Sequence, residues 1–254
     1  MTTVSEELKR LPDIHAAVWA FFKDVENKKD EEAYVLSEEQ LHQKVEELLA
    51  IGGTQILLQG GHHPNLGLDW YQEMLGGIKS RYPEIHIHGF SPSEIEHFGK
   101  VFKMPTRKVI AELQQSGLDS IPGGGAEILN DRVRGLLAPT KVSAERWIQI
   151  MEEAHSLGMR TSATMMFGHV ETLPERVEHL MRIRESQDRT GGYTAFICWS
   201  YQPGFTPMSV ENHEALASVP VSSHKGSLDY LKTLAISRLT LDTIDNFQAS
   251  WVTQ

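Results

Sequence analysis

A chain of 254 residues, 40% hydrophobic and 23% charged, can bury the core of one large α/β domain, and its net charge of −10 argues against a surface built to neutralise phosphates. No apolar run is long enough to span a bilayer, and the opening MTTVSEELKR carries acids where a secretion signal needs an apolar stretch. The expectation is a cytoplasmic protein with a small-molecule partner, no nucleic acid and no membrane, its oligomeric state open. The single cysteine, Cys198, excludes an internal disulfide and any cysteine-based metal site drawn from this chain alone.

Along the chain, strand-like runs alternate with amphipathic ones. Leu41, Val45, Leu48 and Leu49 recur at helical spacing within 38–51, Gly52 and Gly53 stop that helix, and Ile56, Leu57 and Leu58 follow as a buried strand. A helix over 69–78 carries Trp70, Met74 and Leu75 on one side, and 85–88 alternates as a strand. Ser91 is placed to cap the next helix, with Pro92 in its first turn. Helices follow over 106–115, 144–157, 174–187 and 227–239. They lead to strands at 120–121, 161–167, 194–201 and 244–252. Six strand and helix alternations predict a parallel sheet covered by helices.

Polar residues and glycines close nearly every strand, which favours the C-terminal face of a (β/α) barrel over the single switch point of a doubly wound sheet. Six strands are fewer than eight, and the last residues, Trp251 to Gln254, read as strand. The expectation is an incomplete barrel and a fragment of a longer protein.

Three strand ends break into glycine followed by His or Glu. Gly60, Gly61, His62, His63 and Pro64 would offer backbone N–H groups to a ligand, or form a tight turn. Gly123, Gly124 and Gly125 precede Glu127, and three glycines weaken a structure unless backbone must approach something closely. Gly168 precedes His169 and Glu171, a proton donor with its orienting partner or, for Glu171, a helix cap. His86 and His88 share one strand face and would either ligate a metal together or bond to neighbours. Trp199, Tyr201 and Gln202 end another strand, and Cys198 reads as a buried thiol.

The segments ILLQGGHHPNLGLDWY, HGFSPSEI, SIPGGGAEILNDRVR, TSATMMFGHVET, RIRESQDRTGGYTAFICW and NFQASWVTQ together resemble the cyclic dehypoxanthinyl futalosine synthases, radical SAM enzymes of the futalosine route to menaquinone. Aminofutalosine synthases and the enzymes that assemble the deazaflavin chromophore share the glycine motifs. The resemblance runs from about residue 30 to the end, leaving 1–29 as a divergent N-terminal segment. It implies an incomplete (β/α) TIM-type barrel of the radical SAM kind, with about six parallel strands. It also implies S-adenosylmethionine and a 4Fe-4S cluster as cofactors. The implied reaction is hydrogen abstraction from the ribose of dehypoxanthine futalosine, followed by ring closure. Carried onto this sequence, it makes Gly60, Gly61, Ser91 and Glu94 cofactor-binding, His62, His63 and Gln202 substrate-binding, and Glu127 and His169 catalytic.

The chain departs from that family at one place. The family holds its cluster on a Cys-x3-Cys-x2-Cys motif, and aligning Trp19 to Asp24 with the end of that motif puts Pro12, Ala16 and Trp19 at the cysteine positions. The expectation is therefore no metal ligand and no radical chemistry from this chain as written. Two alternatives stay open, a non-catalytic remnant that binds S-adenosylmethionine or another ligand, and a metal-dependent barrel hydrolase using His86 and His88.

Overall fold

The computed structural model describes residues 35–202 and 226–249. The aligned positions Pro12, Ala16 and Trp19 and the final Trp251 to Gln254 lie outside the described residues. Two compact units emerge, one made of residues up to 90 together with 97–120, the other of 91–96 together with 121 onward.

In the first unit, α1 (Glu38–Ala50) starts at a reciprocal cap: the Gln40 N–H donates to Ser37 Oγ at 3.2 Å, and the Ser37 N–H donates to Gln40 Oε1 at 2.9 Å. Gly52, at φ +79°, ends it in the left-handed conformation and turns the chain into β1 (Gln55–Leu58). The helix α2 (Leu68–Arg81) buries Tyr71, Met74, Leu75 and Ile78, and leads to β2 (His86–Gly89). The strands β1 and β2 run parallel, with Gln55 opposite His86 and Leu58 opposite Gly89. Tyr71, Phe90, Phe98 and Phe102 interlock beneath them, Tyr71 and Phe98 with ring centres 4.5 Å apart. The helix α3 (Pro92–Val101) begins in the second unit and ends in the first, where α4 (Thr106–Gln115) follows. In β3 (Ser120–Ile121), Ser120 pairs with His88; Pro122 then interrupts, since proline has no N–H to give a ladder.

In the second unit, α5 (Asp131–Leu137) is a helix the sequence pattern does not announce. Seven residues are too few to establish a period, and Gly135 sits inside it. Asn130 starts it by accepting the N–H groups of Arg132 and Val133. The helix α6 (Ala144–Ser156), capped by Ser143, presses Trp147, Ile150, Met151 and Ala154 into the core. It leads to β4 (Arg160–Phe167), and α7 (Leu173–Thr190), opened by a Thr172 and Glu175 capping box, leads to β5 (Tyr193–Ser200). The helix α8 (Ser227–Thr240) precedes β6 (Asn246–Ala249), shorter than the sequence pattern suggests within the described residues. The strands β4, β5 and β6 are parallel, with Phe167 opposite Ser200 and Cys198 opposite Ala249.

Candidate functional site

The second unit gathers most of the expected site residues. After β3, the glycine loop passes directly against β4. A Cβ on Gly123 would lie 2.8 Å from the Ser162 carbonyl oxygen and 2.9 Å from Ala163 Cα. The loop's polar groups are tied down: the Gly123 N–H donates to Ser162 Oγ at 3.0 Å, and Thr164 Oγ1 donates to the Gly123 carbonyl. Trp147 Nε1 donates to the Gly124 carbonyl at 3.2 Å, and Arg134, buried, donates to the carbonyls of Gly125, Ala126 and Val142. The glycines thus serve first to bring this loop onto a neighbouring strand.

That scaffold fixes Glu127. Its backbone sits at φ +44°, a conformation L side chains avoid and one that concentrates at functional sites. Its carbonyl accepts from the Met166 N–H at 3.0 Å, and its carboxylate receives Lys141 Nζ at 2.6 Å. Burial alone would push this carboxyl up, but the charge and hydrogen bond of Lys141, with Arg134 and His169 behind it, hold it below the usual range. Glu127 is therefore a buried ionised acceptor.

Ser91 and Glu94 form a local unit at the start of α3. Glu94 Oε2 accepts from both the N–H and the hydroxyl of Ser91 at 2.7 Å, consistent with Ser91 in the capping position expected of it. Between them, Ser93 turns a buried hydroxyl that has no hydrogen-bond partner, and its Oγ lies 3.4 Å from where a Cβ on Gly125 would be.

His169 and Glu171 are both buried at the end of β4, with Nδ1 of His169 2.9 Å from Glu171 Oε2. The other ring nitrogen lies 2.9 Å from the Met166 carbonyl, to which it donates. Glu171 does not cap α7, a task that falls to Thr172. It accepts the N–H groups of Gly168 and His169 at 2.6 and 2.9 Å, and Arg176 Nε at 2.8 Å. Burial would raise its pKa, yet His169, the Gly168 N–H and Arg176 bring it down to about 2. Arg176 continues to both carboxylate oxygens of Asp229 in α8 and lies 4.6 Å over the Phe167 ring. Hydrogen bonds thus link Asp229 through Arg176 to Glu171 and the His169 N–H, while His169 Nδ1 accepts the Val170 N–H at 2.7 Å and its other ring nitrogen ties the ring to the Met166 carbonyl. Gln202, exposed past β5, bonds only weakly back to the Ser200 carbonyl, at 3.4 Å. Cys198 is buried in β5, and burial pushes its thiol up to about 12.

The first unit holds the remaining candidates. Gly61 adopts φ +63°, with nothing within 4 Å of where its Cβ would be. His62 stacks on His97 at 4.8 Å; His63 accepts the N–H groups of Asn65 and Leu66 on Nδ1, while its carbonyl receives His97 Nε2 at 2.9 Å. His86 Nε2 and His88 Nδ1 converge on one hydroxyl, Ser120 Oγ, each at 2.6 Å. Burial, with His86 nearby, pulls His88 down to about 4, so it is neutral at physiological pH. Among the described residues no three His, Cys, Asp or Glu side chains are grouped to hold a metal ion.

Sequence reasoning did not single out Lys141, Arg134, Arg176, Ser93 or Ser120. The two arginines sit in helical segments where a charge is normally solvated, and only their burial marks them.

The radical SAM superfamily matches residues 17–183. The cyclic dehypoxanthine futalosine synthase of Halalkalibacterium halodurans is 42% identical over 241 residues, covering 95% of this chain and 61% of that protein. A 5-amino-6-(D-ribitylamino)uracil--L-tyrosine 4-hydroxyphenyl transferase of Methanosarcina barkeri is 43% identical, over 86% of this chain and 57% of its own length. The aminodeoxyfutalosine synthase of Thermus thermophilus is 39% identical, over 82% and 54%. The chain therefore spans between half and two thirds of the length of these relatives. Methylornithine synthase shares its fold, with a TM-score of 0.60 at 13% identity over 84% of this chain and 55% of that structure. With six parallel strands, the architecture is an incomplete TIM-type barrel, and the chain belongs to the radical SAM superfamily.

Proposed function

We propose that this chain is the cofactor- and substrate-binding part of a futalosine-type cyclase, binding S-adenosylmethionine and a dehypoxanthine futalosine-like nucleoside. The observation that carries the reading is Glu127, a buried, ionised carboxylate on a strained backbone, reached by no cation but Lys141 among its described hydrogen bonds. An acceptor of that kind suits the hydroxyl or ammonium donors of a nucleoside or an amino-acid moiety. The orphaned Ser93 hydroxyl, in the same unit as Glu127, fits such ligands too. In this reading Gly60, Gly61, Ser91 and Glu94 hold S-adenosylmethionine, and His62, His63 and Gln202 contact the nucleoside. Glu127 touches a ligand directly. His169, with both ring nitrogens engaged by its own chain, holds the end of β4 whose Met166 N–H bonds the Glu127 carbonyl, and is in this reading a positioning residue.

The iron-sulfur cluster is a different matter. It needs three cysteine thiolates, and these 254 residues hold Cys198 alone, buried and with a pKa pushed up to about 12. The residues present do not fit a cluster. Bound S-adenosylmethionine would supply a sulfonium, and its reductive cleavage to a radical would need an electron from a donor other than the residues of this chain.

Calorimetry with S-adenosylmethionine is expected to show binding, and anaerobic iron-sulfur reconstitution followed by dithionite to yield no 5'-deoxyadenosine. Formation of 5'-deoxyadenosine would overturn the inactivity, and absence of binding would overturn the reading of the site. Stoichiometric zinc in the purified protein would instead favour a hydrolase built on His86 and His88.

A further inference from the structure

We propose that Lys141 is the exchangeable cation of the Glu127 site: an incoming ligand takes its place on the carboxylate, and the ammonium re-pairs with an anionic group of that ligand. The inference rests on the reading of Glu127 as a ligand acceptor, and names what kind of ligand the site selects.

The asymmetry between the two partners is the argument. Glu127 is fixed, its φ at +44°, its carbonyl held by Met166 and its side chain 12% exposed. Lys141 is not; it stands in the connection between α5 and α6 and its side chain is 36% exposed. Its stem passes over Gly125, with Cδ 3.7 Å from where a Cβ would be, close to the unpartnered Ser93 hydroxyl. Arg134 cannot serve in its place, because its guanidinium is spent on the carbonyls of Gly125, Ala126 and Val142. Lys141 holds Glu127 Oε1, and a donor group that takes that oxygen displaces the one cation that can move.

Displacing an ammonium from a largely buried carboxylate leaves it without an anionic partner, which costs affinity unless the ligand provides one. A ligand with a hydroxyl or ammonium donor and a carboxylate close together meets both demands. One with donors alone meets only the first. Lys141 would thus discriminate between ligands that are otherwise alike.

The test is calorimetry with two probes, S-adenosylmethionine, which carries an amino-acid carboxylate, and methylthioadenosine, which shares its nucleoside and has none. In Lys141→Met, S-adenosylmethionine affinity is expected to fall about tenfold or more while methylthioadenosine binds as well as before or better. Lys141→Arg, which keeps the charge, should restore S-adenosylmethionine to within about threefold. An equal response of the two probes, whether loss or gain, would overturn the exchange and leave Lys141 as a fixed counter-ion. No binding of either probe by the unsubstituted chain would remove the reading of the site itself, and this proposal with it. Thermal unfolding of each variant separates these outcomes from misfolding.

Discussion

The glycine turn at Gly60 and Gly61 and the run from Gly123 to Gly125 read alike as sequence, each closing an apolar strand and each followed by a polar residue. Their surroundings differ. The Gly123 run lies against the β4 backbone, and its polar groups are consumed by Ser162, Thr164, Trp147 and Arg134. Gly61 faces open space at φ +63°. One run is glycine because a neighbouring strand needs the room; the other is glycine because of its own backbone. A site can be built from both kinds, but substitutions in the two should fail in different ways.

The largest effect should come from the network behind the crowded loop. Arg176 is the cation shared by Glu171 and Asp229, and all three side chains are buried. Arg176→Met leaves two carboxylates unpaired and is expected to lower stability by about 3–5 kcal/mol, measured as a shift of the denaturant midpoint. A loss under about 1 kcal/mol would show that water or protonation relieves the two carboxylates.

Gly123→Ala comes next. Its Cβ would stand 2.8–2.9 Å from three backbone atoms of β4, none of which can swing away as a side-chain tip can. The expected loss is about 3 kcal/mol, the upper end of ordinary overpacking, with weaker ligand binding because Glu127 is carried on the same loop.

Acid should expose the same network with a defined sign. The folded-state pKa of Glu171, about 2, lies below its usual value of 4.5. Its contribution is therefore complete above pH 4.5 and is lost as pH falls toward 2, a change of about 2 kcal/mol once solvent screening is allowed for. The buried neutral histidines act in another window. His88 and His155 are each held at about 4 and the fully buried His179 at about 3, below the usual 6.5, so their protonation in the unfolded chain costs stability as pH falls from 6.5 toward 3. Glu171→Gln should reduce the slope of the stability profile below pH 4.5, where Glu175 is likewise held at about 2 and keeps part of it, and leave the slope between 6.5 and 4.5 intact. A profile unchanged below 4.5 would mean that Glu171 does not carry this charge.

Much of the fold was legible because its signals are local and repeated. The helix over 106–115 and the strand at 120–121 were read with the bounds the structure has, since periodicity and a stop glycine mark both. The helix α5 escaped because seven residues with an internal glycine carry no period. The site was legible only as a set of strand ends. Glu127 and His169 could be named from their place after glycine, but the burial that sets their chemistry depends on Lys141, Arg134 and Arg176. Lys141 and Arg134 lie 14 and 7 positions from Glu127, and Arg176 lies 5 from the Glu171 that bonds the His169 N–H. Likewise the pairing of His86 with His88 was visible as alternation, whereas their shared partner Ser120 is 34 and 32 residues away.

Gly61→Ala should have the smallest effect and is the sharpest test of the difference between the two turns. Nothing would touch its Cβ, so overpacking contributes nothing and the loss should equal the cost of a left-handed backbone, about 1 kcal/mol. The same reasoning predicts that Gly61→Asn recovers part of the loss, since asparagine tolerates that conformation better than alanine. At Gly123 asparagine should be worse than alanine, because it adds atoms where backbone already crowds the first one. Opposite orders of Ala and Asn at the two positions would separate conformational need from packing need. The same order at both would mean that the glycines of the two turns do one job, and that the open space over Gly61 closes in solution.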